Sequence, residues 1–243
     1  MSTKNCLLLT CAVVIALVVG LSLAPAAPAA EDAAPAAAGK LVPLEVTFPK
    51  PMFVGTPKNL KPSPTLEVYS EKPRPPFMAP AGLTNLAAKK KVTSSDASPI
   101  IGELSMVTDG DKDGADGSFV ELAPGKQWVQ IDLEKQADIY AIVVWHYHAE
   151  GRVYHDVIVR VSDDPKFATG ATTVYNNDFD NSSGLGQGKN LEYVDDYRGR
   201  VMDAKDAKGV PARGRYVRLD SNGNTSNAQN HYIEVEVFGK PVQ

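Results

Sequence analysis

The chain has 243 residues and a formal net charge of −4, with 22% of its residues charged. This mild acidity argues against a nucleic-acid-binding protein, because such proteins concentrate Lys and Arg on one surface. Both cysteines, Cys6 and Cys11, lie in the first apolar segment. The rest of the chain therefore has no disulfide, no thiolate metal site and no cysteine nucleophile.

The N-terminal segment has the pattern of an export signal. Lys4 precedes an apolar run from Leu7 to Leu23, and the small residues of APAAPAAED follow. A positive start, an apolar stretch and a small-residue end are typical of a secretory signal peptide. We expect residues 1–30 to be removed and the mature protein to be secreted, extracellular or periplasmic, without a membrane span. A retained membrane anchor is the alternative, because the apolar run is close to the length that crosses a bilayer.

Residues 31–82 are predicted to form a linker and an extended arm. The linker is rich in Ala and Pro up to Lys40, and ten prolines follow between Leu41 and Pro80. Proline lacks the N–H group that helices and sheets need, so only LVPLEVTF is expected to pair, as a short edge strand. Apolar residues such as Phe53 and Phe77 indicate that parts of the arm lie against the following domain or against a protein partner.

After Leu83 the pattern becomes that of β-strands. Apolar and polar residues alternate with period two, β-branched residues are frequent, and Gly, Asn and Asp separate the runs. The runs are WVQIDL, IYAIVVWHYH, YHDVIVRVSDD, RYVRLDS and HYIEVEVFG. One apolar and one polar face on strands of this length predict an all-β, two-sheet sandwich. Residues 176–214 form a long polar loop, either a surface excursion between strands or a functional loop.

The order of five segments resembles the discoidin domains, also called coagulation factor V/VIII type C domains. The segments are NLAAKKKVTSSD, VTDGDKDG, QWVQIDLEKQADIYAIVVW, RYVRL and YIEVEVFG. The resemblance covers residues 83–240 and implies a galactose-binding-like jelly roll, a fold that this family shares with many bacterial carbohydrate-binding modules. It also places Trp128 at the start of a core strand, and we interpret Trp128 and Trp145 as packing residues.

The resemblance further implies a structural calcium ion. In that family the segment similar to TDGD and a carboxylate of the last strand hold the ion, which here points to Asp109, Asp111 and Glu234, with Asp113 as a further candidate. The chemistry is consistent, because calcium takes six to eight hard oxygens from carboxylates and carbonyls. The Asp spacing also matches the start of an EF-hand loop, but its twelfth position is Val120 and no helices are predicted beside it. An ordinary Asp- and Gly-rich turn is the alternative.

Three histidines suggest a second, less favoured metal site. His146 and His148 are two residues apart, which on a strand places both on one face, and His155 follows a short turn. Zinc or copper would need further ligands. The alternative interpretation is that His146 packs in the core and His148 lies near solvent.

The predicted ligand-binding residues lie in two loops. Modules of this fold bind sugars with loops at one end, where an aromatic ring stacks on the sugar and polar groups take its hydroxyls. The candidates are His148, Arg152, Tyr154, Asn222, Asn224 and Asn227. Turn formation and ordinary exposure are the alternatives for these residues.

No enzyme is predicted, because the chain lacks GxSxG, HExxH, a phosphate loop and a mature cysteine. The leading hypothesis is a non-catalytic module that binds carbohydrate at or outside the cell surface. The alternative is a structural or adhesive module that binds a protein or a membrane surface, with the proline-rich arm as a possible contact for a protein.

Overall fold

The computed structural model describes residues 40–58 and 60–242. The predicted signal peptide and most of the Ala/Pro linker, through residue 39, lie outside the described residues. Within the described ranges no helix has the length and apolar character needed to cross a bilayer.

The described residues form β-strands and one short 3-10 helix, Leu104–Thr108. In chain order the strands are β1 (Leu41–Pro43), β2 (Met78–Pro80), β3 (Thr84–Asn85), β4 (Lys91–Ser94), β5 (Val120–Leu122), β6 (Lys126–His146), β7 (Ile158–Ser162), β8 (Thr172–Asn176), β9 (Arg200–Asp203), β10 (Ala212–Asn222) and β11 (Asn230–Pro241). The all-β prediction is confirmed.

The 21-residue strand β6 connects two layers. Its first half lies between β4 and β10, and β10 continues to β7 and β8. Its second half lies between β9 and β11, and β11 pairs with β3 and β5. The strand changes layer near Glu134, which has a φ of 68°, and the β10 register shifts at the same level, between Gly214 and Tyr216.

The main core lies between these layers. It combines residues from both halves of β6, such as Ile131 and Ile142, with alternating residues of the other strands, such as Val159, Val217 and Val235. These apolar residues alternate with polar ones along their strands, so their side chains lie on the inner faces, as the sequence predicts. This arrangement is the predicted two-layer sandwich.

A second apolar cluster lies on the outer face of β6 and β11. Trp145 is fully buried there, as predicted, beside Val143 and Ile233. The arm covers this face with Leu44 and Phe77, among others. The second half of β6 is therefore apolar on both faces because it packs against the core on one side and the arm on the other.

Candidate functional site

Two of the predicted ligand loops meet at one end of the sandwich. The turn after β6 runs beside the loop between β10 and β11, although the paired residues are about 70 positions apart. Val153 donates its N–H to Thr225 Oγ1 at 3.1 Å, and Thr225 donates its N–H to the Val153 carbonyl at 2.9 Å. His155 donates to the Gly223 carbonyl at 3.0 Å. This pairing places Arg152 and the Asn222–Asn227 loop at the same end.

Arg152 is held in one orientation at this end. Its guanidinium lies 4.6 Å from the centre of the Tyr147 ring, and it donates to Glu150 Oε2 from Nε at 3.2 Å and from Nη2 at 2.9 Å. Tyr147 in turn donates its hydroxyl to Asp116 Oδ1 at 3.1 Å. Burial, together with that carboxylate, raises the pKa of Tyr147. The Arg152 side chain is 11% exposed and lies beside the Glu150 side chain, which is 61% exposed. Both groups can bind hydroxyls.

His148 and Tyr154 lie beneath this surface. Their exposed fractions are 0% and 1%. His148 donates from Nε2 to the Lys112 carbonyl at 3.0 Å, and the Tyr154 ring stacks on His146 with centroids 4.3 Å apart. A ligand at the surface would not contact either side chain in this structure, so their role there is to support the loops above them.

A buried hydrogen-bonded chain continues below Tyr154. The Tyr154 hydroxyl lies 3.0 Å from His231 Nδ1, and His231 Nε2 lies 3.0 Å from Glu121 Oε2. Burial, with the Arg152 guanidinium and the His146 ring nearby, lowers the pKa of His231 to about 4. A neutral imidazole protonated on Nε2 satisfies both partners, since it accepts from the tyrosine and donates to the carboxylate.

The three predicted asparagines have different roles. Asn224 donates from Nδ2 to Asn227 Oδ1 at 2.8 Å and to the Gln229 carbonyl at 2.9 Å, and it accepts from the Ser226 N–H. The side chain of Asn224 therefore makes its hydrogen bonds within its own loop. Asn222 donates to Asp156 Oδ2 at 2.8 Å, whereas Asn227 is exposed.

Of the predicted calcium ligands, Glu234 has the most unusual environment. It is completely buried, and its Oε1 has no hydrogen-bond partner among the described residues. Its Oε2 accepts the Gly110 N–H at 3.1 Å, so the Asp-rich loop lies against it. Burial, with the nearby carboxylates of Glu236 and Asp109, raises the pKa of Glu234 to about 8. A cation would relieve both the desolvation and the repulsion.

The other predicted ligands are exposed turn residues. Asp109 accepts the Asp111 N–H at 2.8 Å, and Asp111 accepts the Asp113 N–H at 2.9 Å. In the described part of the chain, no three of the four predicted carboxylates lie close enough together to bind one ion. The Asp109 carboxylate is close enough to Glu234 to raise its pKa, so these two carboxylates are the pair to which a cation could bind.

Lys112, in the middle of the same loop, was not singled out from the sequence. Its ammonium is 2.7 Å from Glu236 Oε1, donates to Thr47 Oγ1 at 3.0 Å, and lies 4.7 Å from the Trp145 ring centre. Its side chain is 8% exposed. A lysine between aspartates suggests a solvated side chain. The sequence signal for its burial is the pair of acidic residues, Glu234 and Glu236, among the apolar residues of β11.

A different acidic group does converge, where Asp156 meets the segment that follows β8. The predicted 176–214 loop is interrupted by β9 and ends in β10. Oxygens of Asp156, Asp178 and Asp180 lie within 4.8 Å of one another. Ser182 holds them together: its N–H donates to Asp178 and Asp180, each at 3.0 Å, and its hydroxyl donates to Asp156 at 2.8 Å. These hydrogen bonds account for the closeness of the three carboxylates.

The three histidines of the less favoured metal hypothesis point to separate partners. His146 Nδ1 lies 3.1 Å from Asp195 Oδ1, and His155 Nδ1 lies 2.9 Å from Glu192 Oε1. His148 binds a backbone carbonyl, as described above. Near-solvent placement of His148 is wrong, because the 112–114 segment and Met52 of the arm pack around it.

Residues 106–219 match a family model of F5/F8 type C domains, described as NedA-like, galactose-binding domain. This match confirms the resemblance of this part of the chain to F5/F8 type C domains. The matched stretch lies within residues 83–240, for which the sequence shows the resemblance. The comparison with curated proteins gives no match.

Several solved structures are similar to the chain. A family 89 glycoside hydrolase from Clostridium perfringens is 18% identical with a TM-score of 0.47, over 65% of this chain and 15% of the hydrolase. Chitosan-binding module 1 of a chitosanase/glucanase from Paenibacillus sp. IK-5 is 21% identical with a TM-score of 0.40, over 64% of this chain and 99% of the module. A pectin-binding carbohydrate-binding module is 21% identical with a TM-score of 0.45, over 62% of this chain and 91% of the module.

Proposed function

We propose that this F5/F8 type C protein is an exported, non-catalytic module that binds carbohydrate through the loop end of its sandwich. The observation that carries the proposal is the pairing of the Arg152 turn with the Asn222–Asn227 loop. This pairing gathers charged and amide side chains from two distant segments on one surface. Groups of this kind, held in fixed orientations, can select a pattern of hydroxyls.

Arg152 is the central residue of the proposed site. Its guanidinium is fixed by Tyr147 and Glu150 before any ligand arrives, so little side-chain entropy is lost on binding. Glu150, with 61% of its side chain exposed, offers acceptors beside the donors of Arg152. Asn222 and Asn227 remain candidates, whereas His148, Tyr154 and Asn224 act as supports.

Calcium is the proposed structural ion of this module. Glu234 and Asp109, with carbonyls of the Asp109–Gly117 loop, would hold it, and Asp111 and Asp113 are further candidates. The unpartnered buried Oε1 of Glu234 supports this assignment. When bound, the ion would neutralise the carboxylates and fix the loop that carries Asp116.

A glycan array with the full chain tests the proposed function. We expect binding to a defined sugar that Arg152→Ala weakens by at least about tenfold, because charged hydrogen bonds are worth more than neutral ones. Arg213→Ala is the matched control, since Arg213 is exposed and pairs with Asp138 in the middle of β6, away from the loop end. Folded protein that binds no glycan would contradict the proposal and favour an adhesive module with a protein or membrane partner.

A further inference from the structure

A groove of about 940 Å³ lies between the arm and the sandwich. Its walls are two arm segments, residues 44–48 and 71–78, and its third side is the segment 197–205, which contains β9. The arm lies outside the stretch that matches the family. The volume is at the upper end of the roughly 300–1,000 Å³ typical of small-molecule sites.

The groove is already formed. Arg198 donates to the Lys72 carbonyl at 3.0 Å and to the Ser70 carbonyl at 2.9 Å, which holds one arm segment against the loop before β9. Leu44 donates its N–H to the Phe77 carbonyl at 2.7 Å, which joins the two arm segments. A ligand would therefore not have to order the walls, and pre-organisation of this kind favours binding.

Aromatic rings line the groove. Phe48 is 51% exposed, although a large apolar side chain gains from burial. Its ring meets Tyr197 edge to face, with centroids 6.3 Å apart, and Phe77 lies at the base under the Lys205 ammonium. An exposed aromatic face beside polar groups is the combination that stacks on the C–H face of a sugar ring.

The charges of the groove are balanced. Among the described residues, Arg200 pairs with Glu67 at 2.8 Å, Lys205 pairs with Asp203 at 2.9 Å, and Arg198 pairs with Asp196. Arg74, the remaining cation of the lining, lies 3.8 Å from Asp196. Asp196 thus serves two of the four cations, and Glu45 and Glu71 of the lining add two further carboxylates. The groove therefore offers both donors and acceptors without a net attraction for an anion. This balance favours a neutral sugar over a uronic acid.

A short stretch of backbone joins the groove to the loop end. Asp195 donates its N–H to the Arg152 carbonyl at 2.8 Å, and Tyr197 of the groove follows two residues later. Two residues of chain span at most about 7 Å.

We propose that this groove is a second binding site, specific for neutral oligosaccharides longer than a single ring. The inference rests on the proposed function, since it takes sugar as the ligand class. Phe48 and Tyr197 would supply the stacking surfaces, and Arg74 and Glu45 at the walls would contact hydroxyls. The site adds length recognition to a module in which the described residues place no exposed aromatic ring beside Arg152 at the loop end.

The test is titration of the full chain with neutral galactan- and glucan-derived oligosaccharides of increasing length, with galactose, and with oligogalacturonates of matched length. We expect affinity to rise with the length of a neutral chain, and Phe48→Ala and Tyr197→Ala each to weaken that binding by about tenfold, the loss typical of one aromatic contact. Val68→Ala is the control on the same arm, because Val68 is 94% exposed and lies outside the groove lining. Circular dichroism checks that each variant is folded.

The outcomes separate the two proposals. Binding that Arg152→Ala abolishes and that the two aromatic variants leave unchanged would overturn the groove while the loop site stands. Binding that the aromatic variants weaken and Arg152→Ala leaves intact would support the groove alone. A preference for oligogalacturonate would overturn the assignment to neutral sugars, and no binding of any probe by folded protein would overturn both proposals.

Discussion

Gly199 shows how one residue positions a whole loop. Its φ is 61°, a conformation that side-chain-bearing residues rarely adopt. A Cβ at this position would lie 2.5 Å from the Trp145 ring, whose Nε1 donates to the Tyr197 carbonyl at 3.0 Å. The loop before β9 can approach the buried tryptophan only because Gly199 has no side chain.

Gly199→Ala is therefore expected to destabilise the protein by about 2–4 kcal/mol, from backbone strain and from displacement of the Trp145 ring. Gly209→Ala is the matched control: Gly209 has a φ of 83°, but no atom lies within 4 Å of the position that an alanine methyl group would take. Only the backbone cost of about 1 kcal/mol then applies. Urea denaturation measures both values. Equal losses in the two variants would show that contact with Trp145 is unimportant.

His155 is a pH-sensitive residue that links the sandwich to the arm. Its hydrogen bond to Glu192 raises its pKa, and the same glutamate accepts the Thr65 hydroxyl of the arm at 3.1 Å. Because the folded pKa lies above the unfolded value, the stabilisation is complete below about pH 6.5 and is lost as pH rises through the folded pKa. The side chain is 43% exposed, so we expect less than about 1 kcal/mol.

Comparison of His155→Gln with the parent protein measures this contribution. Thermal unfolding at a series of pH values should show a difference between the two proteins below about pH 6.5 that shrinks at higher pH. A difference that does not change with pH would mean that the ion pair contributes nothing.

At the scale of elements, the strands could be predicted because their signal is local. Alternation of apolar and polar residues identified β6, β7 and β11. What covers the outer face could not be read from the sequence, because the contacts of Leu44 and Phe77 with Trp145 are long-range and the arm has no periodic pattern.

The candidate site could be predicted only in part, because local patterns identify turns but do not show which side chains are buried or bonded. Arg152 and the Asn222–Asn227 loop were named as candidate turn residues, and the structure brings them together, which the sequence alone could not show. The burial of His148 and Tyr154 depends on the loop and the arm that pack over them. The Asn224 side chain makes its hydrogen bonds to Asn227 and Gln229 within its own loop. The positions of the asparagines in the sequence do not reveal these bonds.

The Asp109–Gly117 loop is the element whose stability depends on calcium in our proposal. At a calcium concentration about one hundred times the dissociation constant, binding would stabilise the protein by about 2.7 kcal/mol, which corresponds to a Tm increase of about 5–10 °C for a domain of this size. Glu234→Gln should remove most of this increase, because it removes a ligand charge at the buried oxygen.

Calorimetry with calcium and with excess chelator measures the effect. Glu134→Gln is the control for a lost carboxylate, since the Glu134 side chain is 64% exposed and lies on the far part of β6. A wild-type Tm that does not respond to calcium or to chelation would contradict the structural-ion proposal.

At the scale of the whole molecule, the arm and the sandwich form one folded unit. Leu44, Val46 and Phe77 pack over Val143 and Trp145, and Lys112 reaches from the Asp-rich loop to Thr47 of the arm. The predicted domain boundary at residue 83 follows the family pattern. The physical unit, however, includes the described residues from Lys40 onward, because the outer face of β6 and β11 is apolar.

A chain that begins at Leu83 is therefore expected to fold poorly, whereas a chain that begins at Lys40 should keep the Tm of the full protein. Each half-buried apolar side chain of the arm contributes part of the roughly 1.5–3 kcal/mol that complete burial gives, so the loss should reach several kcal/mol. Trp145 fluorescence should shift to longer wavelength and a hydrophobic dye should bind to the uncovered face. Equal Tm values for the two chains would show instead that residues 83–240 are self-sufficient, and that the arm lies on the sandwich without stabilising it.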